Sequence, residues 1–302
     1  MERESLLFEN GTNGAATARG AGATTNATLL GGNAVEILRT FPSDHFGACV
    51  TSPPYWGLRD YGIEGQIGAE MELDAYLGKL TEVFEEVRRV LKPDGTFWLN
   101  IGDSFTSGGR TWRQTDRKNA ARGMSYRAPT PPGLKPKDLI GVPWRLAFAL
   151  QARGWYLRSD IIWHKPNGLP ESVKDRPSRV HEYVFLFSKS EQYFYDHEAV
   201  REQTRDKNAM RSLRSVWGIN TEAYPEAHFA TFPTALVDPC LRAGSREGDV
   251  VLDPFCGAGT TGVVAARLQR SFVGIELNPD YLELAKKRLA GAGVKVKRRL
   301  TR

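Results

Sequence analysis

The sequence predicts an α/β protein built on a doubly wound, seven-stranded, mostly parallel sheet. Two observations lead there. From about residue 28 onward, short apolar segments alternate with segments of helical period, the order found in such sheets. A Gly-rich loop, Asp253-Pro254-Phe255-Cys256-Gly257-Ala258-Gly259, joins an apolar strand to a helix, which is where α/β sheets place ligands.

The elements follow in order. Residues 1–27 are rich in Gly, Ala, Thr and Asn, too polar to offset chain entropy, and read as a disordered tail. Thr28–Leu30 reads as a short strand, with a helix over about 33–40. Phe46–Thr51 is a second strand, stopped by Ser52-Pro53-Pro54. Leu73, Tyr76, Leu77, Leu80, Val83, Phe84, Val87 and Leu91 recur in steps of three and four, marking one face of a helix. Lys92-Pro93-Asp94-Gly95 ends that helix, and Thr96–Ile101 is a strand. Residues 104–137 interrupt the alternation as an irregular loop with glycines and prolines near its ends. A helix over 139–152 resumes the pattern, followed by strands Tyr156–His164 and Glu182–Ser188. Residues 190–230 are polar and irregular. A helix over 234–242 precedes the strand Val250–Asp253, the Gly-rich loop and its helix, the strand Ser271–Glu276 and a last helix. Asn278 and Pro279 start that helix as N-cap and first residue. The basic tail beyond Lys295 is expected to fray.

Composition narrows the function classes. The chain has 302 residues, 41% of them apolar, enough for a core. No run of eighteen apolar residues is present, so no membrane span is expected. The N-terminus has no basic and apolar leader pattern. Cys49, Cys240 and Cys256 fit no metal spacing and suit a reducing cytoplasm, so neither a metal nor a disulfide framework is expected. The formal net charge is +6, and it is concentrated. Residues 104–137 carry Arg110, Arg113, Arg117, Lys118, Arg122, Arg127, Lys135 and Lys137 against the single acid Asp116, as expected of a surface that meets a polyanion.

The cofactor-type loop is one of two chemical signals. Its glycines allow a tight turn and close backbone approach, and the helix that follows offers free N–H groups. It lacks the Gly-Lys-Thr of a triphosphate-gripping loop. Glu276, about twenty residues on, stands where an acid accepts ribose hydroxyls. This geometry serves NAD and S-adenosylmethionine alike. The second signal is Thr51-Ser52-Pro53-Pro54-Tyr55-Trp56 at a strand end. The two prolines stiffen the turn and remove donors. The Pro53 carbonyl and the Ser52 hydroxyl can then accept from an exocyclic amine, making its lone pair available, while Tyr55 stacks on a base taken out of the duplex. Methyl transfer to such an amine is a direct displacement that needs no covalent enzyme intermediate. Positioning and electrostatics supply most of the rate.

Together these residues resemble the amino-group DNA methyltransferases of bacterial and phage modification systems. That family carries an (Asp/Asn/Ser)-Pro-Pro-(Tyr/Phe) turn, here Ser52–Tyr55, and a Phe-x-Gly-x-Gly loop, here Phe255–Gly259. The turn precedes the loop, which is the order of the β group, a circular permutation of the S-adenosylmethionine-dependent methyltransferase fold. The resemblance spans about residues 28–290. It implies a single catalytic domain over 28–294, S-adenosylmethionine as cofactor, double-stranded DNA as partner, a monomer or homodimer, and base flipping. It implies Ser52, Pro53, Pro54 and Tyr55 as catalytic residues. It implies cofactor contacts from Asp253, Pro254, Phe255, Cys256, Gly257, Gly259, Thr260 and Glu276. Phe232 is added from a segment beside the methionine moiety, and Asn33 where the family has Gly-Asp. Glu182–Ser188 is the family's antiparallel last strand. The target-recognition region falls in 189–227, with Arg205, Arg211 and Arg214 facing DNA beside Arg110, Arg113, Arg117 and Lys118 of the basic loop.

Ser at the first turn position points to cytosine N4, with adenine N6 as the alternative, because a hydroxyl can donate to cytosine N3 whereas an ionised Asp only accepts. No cysteine occupies the turn, which argues against cytosine C5 chemistry. An RNA or protein methyltransferase, a DNA-binding module with a degenerate cofactor site, and an NAD-dependent oxidoreductase are the rival classes. His164, His181 and His228 read as structural, and Asp103 as either structural or substrate-facing.

Overall fold

Nine strands, not seven, form the main sheet of the computed structural model, which describes residues 25–107, 128–168, 170–204, 208–222 and 232–300. In chain order the elements begin β1 (Asn26–Gly31), α1 (Ala34–Leu38), β2 (Phe46–Thr51), α2 (Leu73–Val90) and β3 (Leu91–Ile101). Next come α3 (Val142–Ala152), β4 (Tyr156–His164), β5 (His181–Ser188), a 3-10 turn at Glu198–Val200, β6 (Glu202–Gln203), β7 (Met210–Arg211) and β8 (Val216–Gly218). The chain closes with α4 (Thr234–Gly244), β9 (Val250–Asp253), α5 (Thr260–Arg267), β10 (Ser271–Glu276), α6 (Pro279–Gly291) and β11 (Lys295–Leu300).

The strand order is β11-β1-β10-β9-β2-β3-β5-β4-β8. Every pairing in this sheet is parallel except the two that β5 makes, so the expected antiparallel strand is present. Two outer strands were not anticipated. β8 comes from the polar stretch read as irregular and pairs with β4 through Trp217, which is buried. β11 corrects the expectation of a frayed tail. Its backbone finds an open edge on β1, and its alternating basic residues discourage a further strand from adding there.

Side chains alternate across the sheet with period two. Cys49, Phe97 and Leu99 join a core with α1, α2 and α3 on one face. Ala48, Val50 and Trp98 face the other core, with α4, α5 and α6. Helices on both faces make the sheet doubly wound. Helix α2 ends at Val90, and Leu91 already begins the strand. Pairing slips from Phe46 opposite Leu91 to Ala48 opposite Thr96, so Lys92–Gly95 bulges out of the ladder rather than forming a separate turn.

β2 and β9 are neighbours at the centre, with Cys49 opposite Leu252. β2 leads through α2 to β3 on one side, and β9 through α5 to β10 on the other. The carboxyl ends of β2 and β9 therefore flank the point where the winding reverses, which is where open α/β sheets hold ligands.

Candidate active site

At that point lies a cavity of about 1100 Å³, bordered by both sequence motifs. Residues 202 positions apart meet behind it. The Thr51 hydroxyl donates to Asp253 Oδ1 at 2.6 Å, and the Thr261 hydroxyl donates to Asp253 Oδ2 at 2.8 Å. Phe255 N adds a bond to Oδ1 at 3.1 Å. Asp253 is fully buried, and burial pushes its carboxyl up to about 6 despite these donors. It shapes the loop from behind and does not line the cavity.

The loop turns through left-handed backbone at Gly257 (φ 48°) and Gly259 (φ 76°), positions that favour glycine. Gly259 sits at the N-cap of α5, behind the cavity wall. A Cβ on Gly262 would lie 2.5 Å from the Phe272 ring, so a third glycine sets the close approach of α5 to β10. Pro254, Phe255, Cys256, Gly257 and Thr260 line the cavity. The Thr260 hydroxyl is bonded by Arg288 at 2.8 Å. Glu276 closes the far side of the loop, accepting from Gly257 N at 2.9 Å and Asn278 N at 2.8 Å. Burial raises its carboxyl to about 7. Asn278 caps α6 as expected. Asn33 lines the cavity, while its Oδ1 caps α1 through Val35 N and Glu36 N. Phe232 also lines it.

The Ser-Pro-Pro-Tyr turn forms the opposite wall. The Tyr76 hydroxyl donates to the Pro54 carbonyl at 2.9 Å, whereas no described residue donates to the Pro53 carbonyl. Ser52 lies against the Tyr55 hydroxyl. That hydroxyl donates to Glu182 Oε2 at 2.7 Å. Burial first, and then the Glu182 charge, push the Tyr55 phenol well up, so it stays a neutral donor. Asn100 Nδ2 reaches the same carboxylate oxygen at 3.2 Å.

The cluster of Asn100, Lys165 and Glu182, with Gly102 beneath Tyr55, was not legible in the motifs. Charge at the ends of apolar strands was the available signal: Lys165 directly follows β4, and Glu182 stands near the start of β5. Asp103 is structural. Its carboxylate accepts from Ser104, Gly141 and Val142 N–H groups and so anchors the start of α3.

Of the expected DNA-facing residues, Arg110, Arg113, Arg117, Lys118 and Arg205 lie outside the described residues. Arg211 and Arg214 are described, and both donate to Glu202 Oε1, at 2.8 and 2.7 Å. Among the described residues no helix is long and apolar enough to cross a membrane. Cys49, Cys240 and Cys256 are buried free thiols.

Known proteins share this arrangement. The model of the family described as DNA methylase matches residues 46–287. The chain is 61% identical over 262 residues to the type II methyltransferase M.SmaI of Serratia marcescens, covering 86% of this chain and 90% of that protein. It is 57% identical over 270 residues to M.Cfr9I of Citrobacter freundii, covering 89% and 90%. Among solved structures, a DNA modification methylase of Thermus thermophilus, TTHA0409, crystallised with S-adenosyl-L-methionine, superposes with a TM-score of 0.62 at 28% identity, covering 90% of this chain and 99% of that one. The cytosine-N4-specific PvuII methyltransferase shares the fold at 23% identity and a TM-score of 0.67, covering 88% and 86%.

Proposed function

We propose a target atom and residue roles from one premise: this chain belongs to the DNA methylase family of amino-methyltransferases and uses S-adenosylmethionine. Its function is N4 methylation of cytosine in duplex DNA, within a type II modification system. The observation that carries this reading is Ser52, a hydroxyl rather than a carboxylate, at the wall of the cavity that the cofactor loop also borders.

S-adenosylmethionine supplies the methyl group. Glu276 holds the ribose hydroxyls, and Asn33 donates its amide N–H to the adenine. Phe255 and Phe232 pack against the apolar parts, and the Gly257 turn lets the backbone approach. Pro254, Cys256, Gly259 and Thr260 maintain the loop. Asp253 serves as a positioning residue, since it is buried behind the loop. On the facing wall the Pro53 carbonyl accepts from the target amine. The Ser52 hydroxyl bonds beside it, the Tyr55 ring stacks on the flipped base, and Pro54 stiffens the turn.

The order of turn before loop supports a β-group permutation of the fold. The basic loop, through Arg110, Arg113, Arg117 and Lys118, grips phosphates, and Arg205, Arg211 and Arg214 belong to the recognition region over 189–227. Two of those arginines share Glu202, so DNA has to replace that carboxylate to use them.

The test is direct. The protein is incubated with cofactor and unmodified genomic DNA, the DNA is digested to nucleosides, and the methylated base is identified by mass. N4-methylcytosine is expected. N6-methyladenine overturns the choice of target, and cofactor binding with no methylated base in DNA overturns the enzyme reading.

A further inference from the structure

The inner wall of the cavity carries an ion pair that belongs to neither motif. Glu182 Oε1 is paired with Lys165 Nζ, and both side chains are mostly buried, 17% and 19% exposed. The ammonium also lies 4.3 Å from the centroid of the Trp163 ring. The other carboxylate oxygen is taken by the Tyr55 hydroxyl and Asn100 Nδ2. Withdrawing a charge pair this far from water is costly, so its retention beside the turn calls for a reason.

Donor and acceptor counting supplies one. Glu182 is saturated by three donors. An ammonium has three N–H groups and no acceptor. Glu182 takes one of them, and Lys165 lines the same cavity as Ser52 and Tyr55. Contacts run from Ser52 to Tyr55 to Glu182 to Lys165, so the ammonium stands further along the wall than the serine hydroxyl. A cytosine with its amine at Ser52 presents, along the same edge, the amine, then ring N3, then the 2-oxo oxygen. Adenine presents its amine, then N1, then a C–H. The third position separates the two bases, and a fixed donor there favours a carbonyl.

We propose that Lys165, held in place by Glu182, donates to the 2-oxo oxygen of the flipped cytosine and is a specificity-determining residue. Glu182 is its positioning residue and also fixes the Tyr55 ring. This rests on the cytosine N4 reading.

The wild-type product identifies which idea fails. If wild type forms N6-methyladenine, the target reading itself falls. If it forms N4-methylcytosine, single-turnover rates are compared on duplexes carrying cytosine or 2-thiocytosine at the methylated position, with wild type and Lys165→Met. Sulfur is the poorer acceptor, so wild type should lose at least tenfold on the thio substrate. Lys165→Met should be slow on both, with a ratio near one and unchanged cofactor affinity. A merely structural role would slow the variant yet leave the thio penalty in place. An undiminished thio penalty in Lys165→Met, or no penalty in wild type, overturns the proposal. The wild-type arm decides even if the variant does not fold.

Discussion

The hydroxyl of Thr51, the last residue of β2, donates to the carboxylate of Asp253, the last residue of β9, at 2.6 Å. One buried hydrogen bond thus joins the turn that faces the target base to the loop that faces the cofactor. Thr51→Val removes it and leaves a buried carboxylate oxygen with only the Phe255 N–H. The expected cost is about 1–3 kcal/mol of stability, read as a lowered urea midpoint. Because both walls shift together, cofactor KM should rise and kcat fall in the same variant. A change in stability alone would mean that the bond holds the fold but does not align the site.

Burial raises Asp253 to about 6 and Glu276 to about 7, above their ordinary values of 3.8 and 4.5. The folded protein therefore holds protons that the unfolded chain has released. Stability from these groups is fully present below the ordinary values and is lost as pH rises through the folded ones. The cofactor-free protein should lose Tm between about pH 4 and pH 7, and Glu276→Gln should remove the upper part of that loss. Cofactor affinity should run the opposite way, strengthening through about pH 7 as Glu276 ionises to accept the ribose hydroxyls. Calorimetric titration at several pH values checks this, and Glu276→Gln should be flat.

A Cβ on Gly102 would fall 2.7 Å from Tyr55 Cε2 and 3.4 Å from the Glu182 carboxyl carbon. Gly102→Ala therefore displaces the stacking ring without touching the cofactor loop. Turnover should drop about tenfold or more with unchanged cofactor affinity. Ser52→Ala and Tyr55→Ala should behave alike and more severely, by roughly a hundredfold or more, a range set by lost positioning. Tyr55→Phe, which keeps the ring and loses only the Glu182 bond, should fall between wild type and Tyr55→Ala. Single-turnover methylation with separate cofactor titration distinguishes these outcomes.

Duplex affinity should fall steeply with salt, because phosphate neutralisation releases counterions. Replacing Arg110, Arg113, Arg117 and Lys118 with Ala should flatten the slope of log affinity against log salt by about 0.9 per lost phosphate contact. An unchanged slope would remove the basic loop from the interface.

Local pattern made much of this protein legible. The helical period of α2, the apolar strands β2 and β9, the Asn278 cap and the glycines of the cofactor loop are short-range features, each set by neighbours a few residues away. Ser52, Pro53, Pro54 and Tyr55 were readable for the same reason, since a stiff turn at a strand end is a local object. β8 and β11 were not readable. Neither has a strong pattern of its own, and each becomes a strand because a neighbouring edge offers unpaired backbone groups.

The amino-acid sequence by itself determined the alternation of elements, the two motifs and their order. Only the tertiary structure decided that Asp253 is a buried brace rather than a ligand contact. It also brought Asn100, Lys165 and Glu182, from three different strands or strand ends, to the Tyr55 hydroxyl. The reason is physical: a hydrogen bond or ion pair between residues 127 positions apart, such as Tyr55 and Glu182, leaves no periodicity along the chain. It exists only once the sheet order sets β5 beside β3.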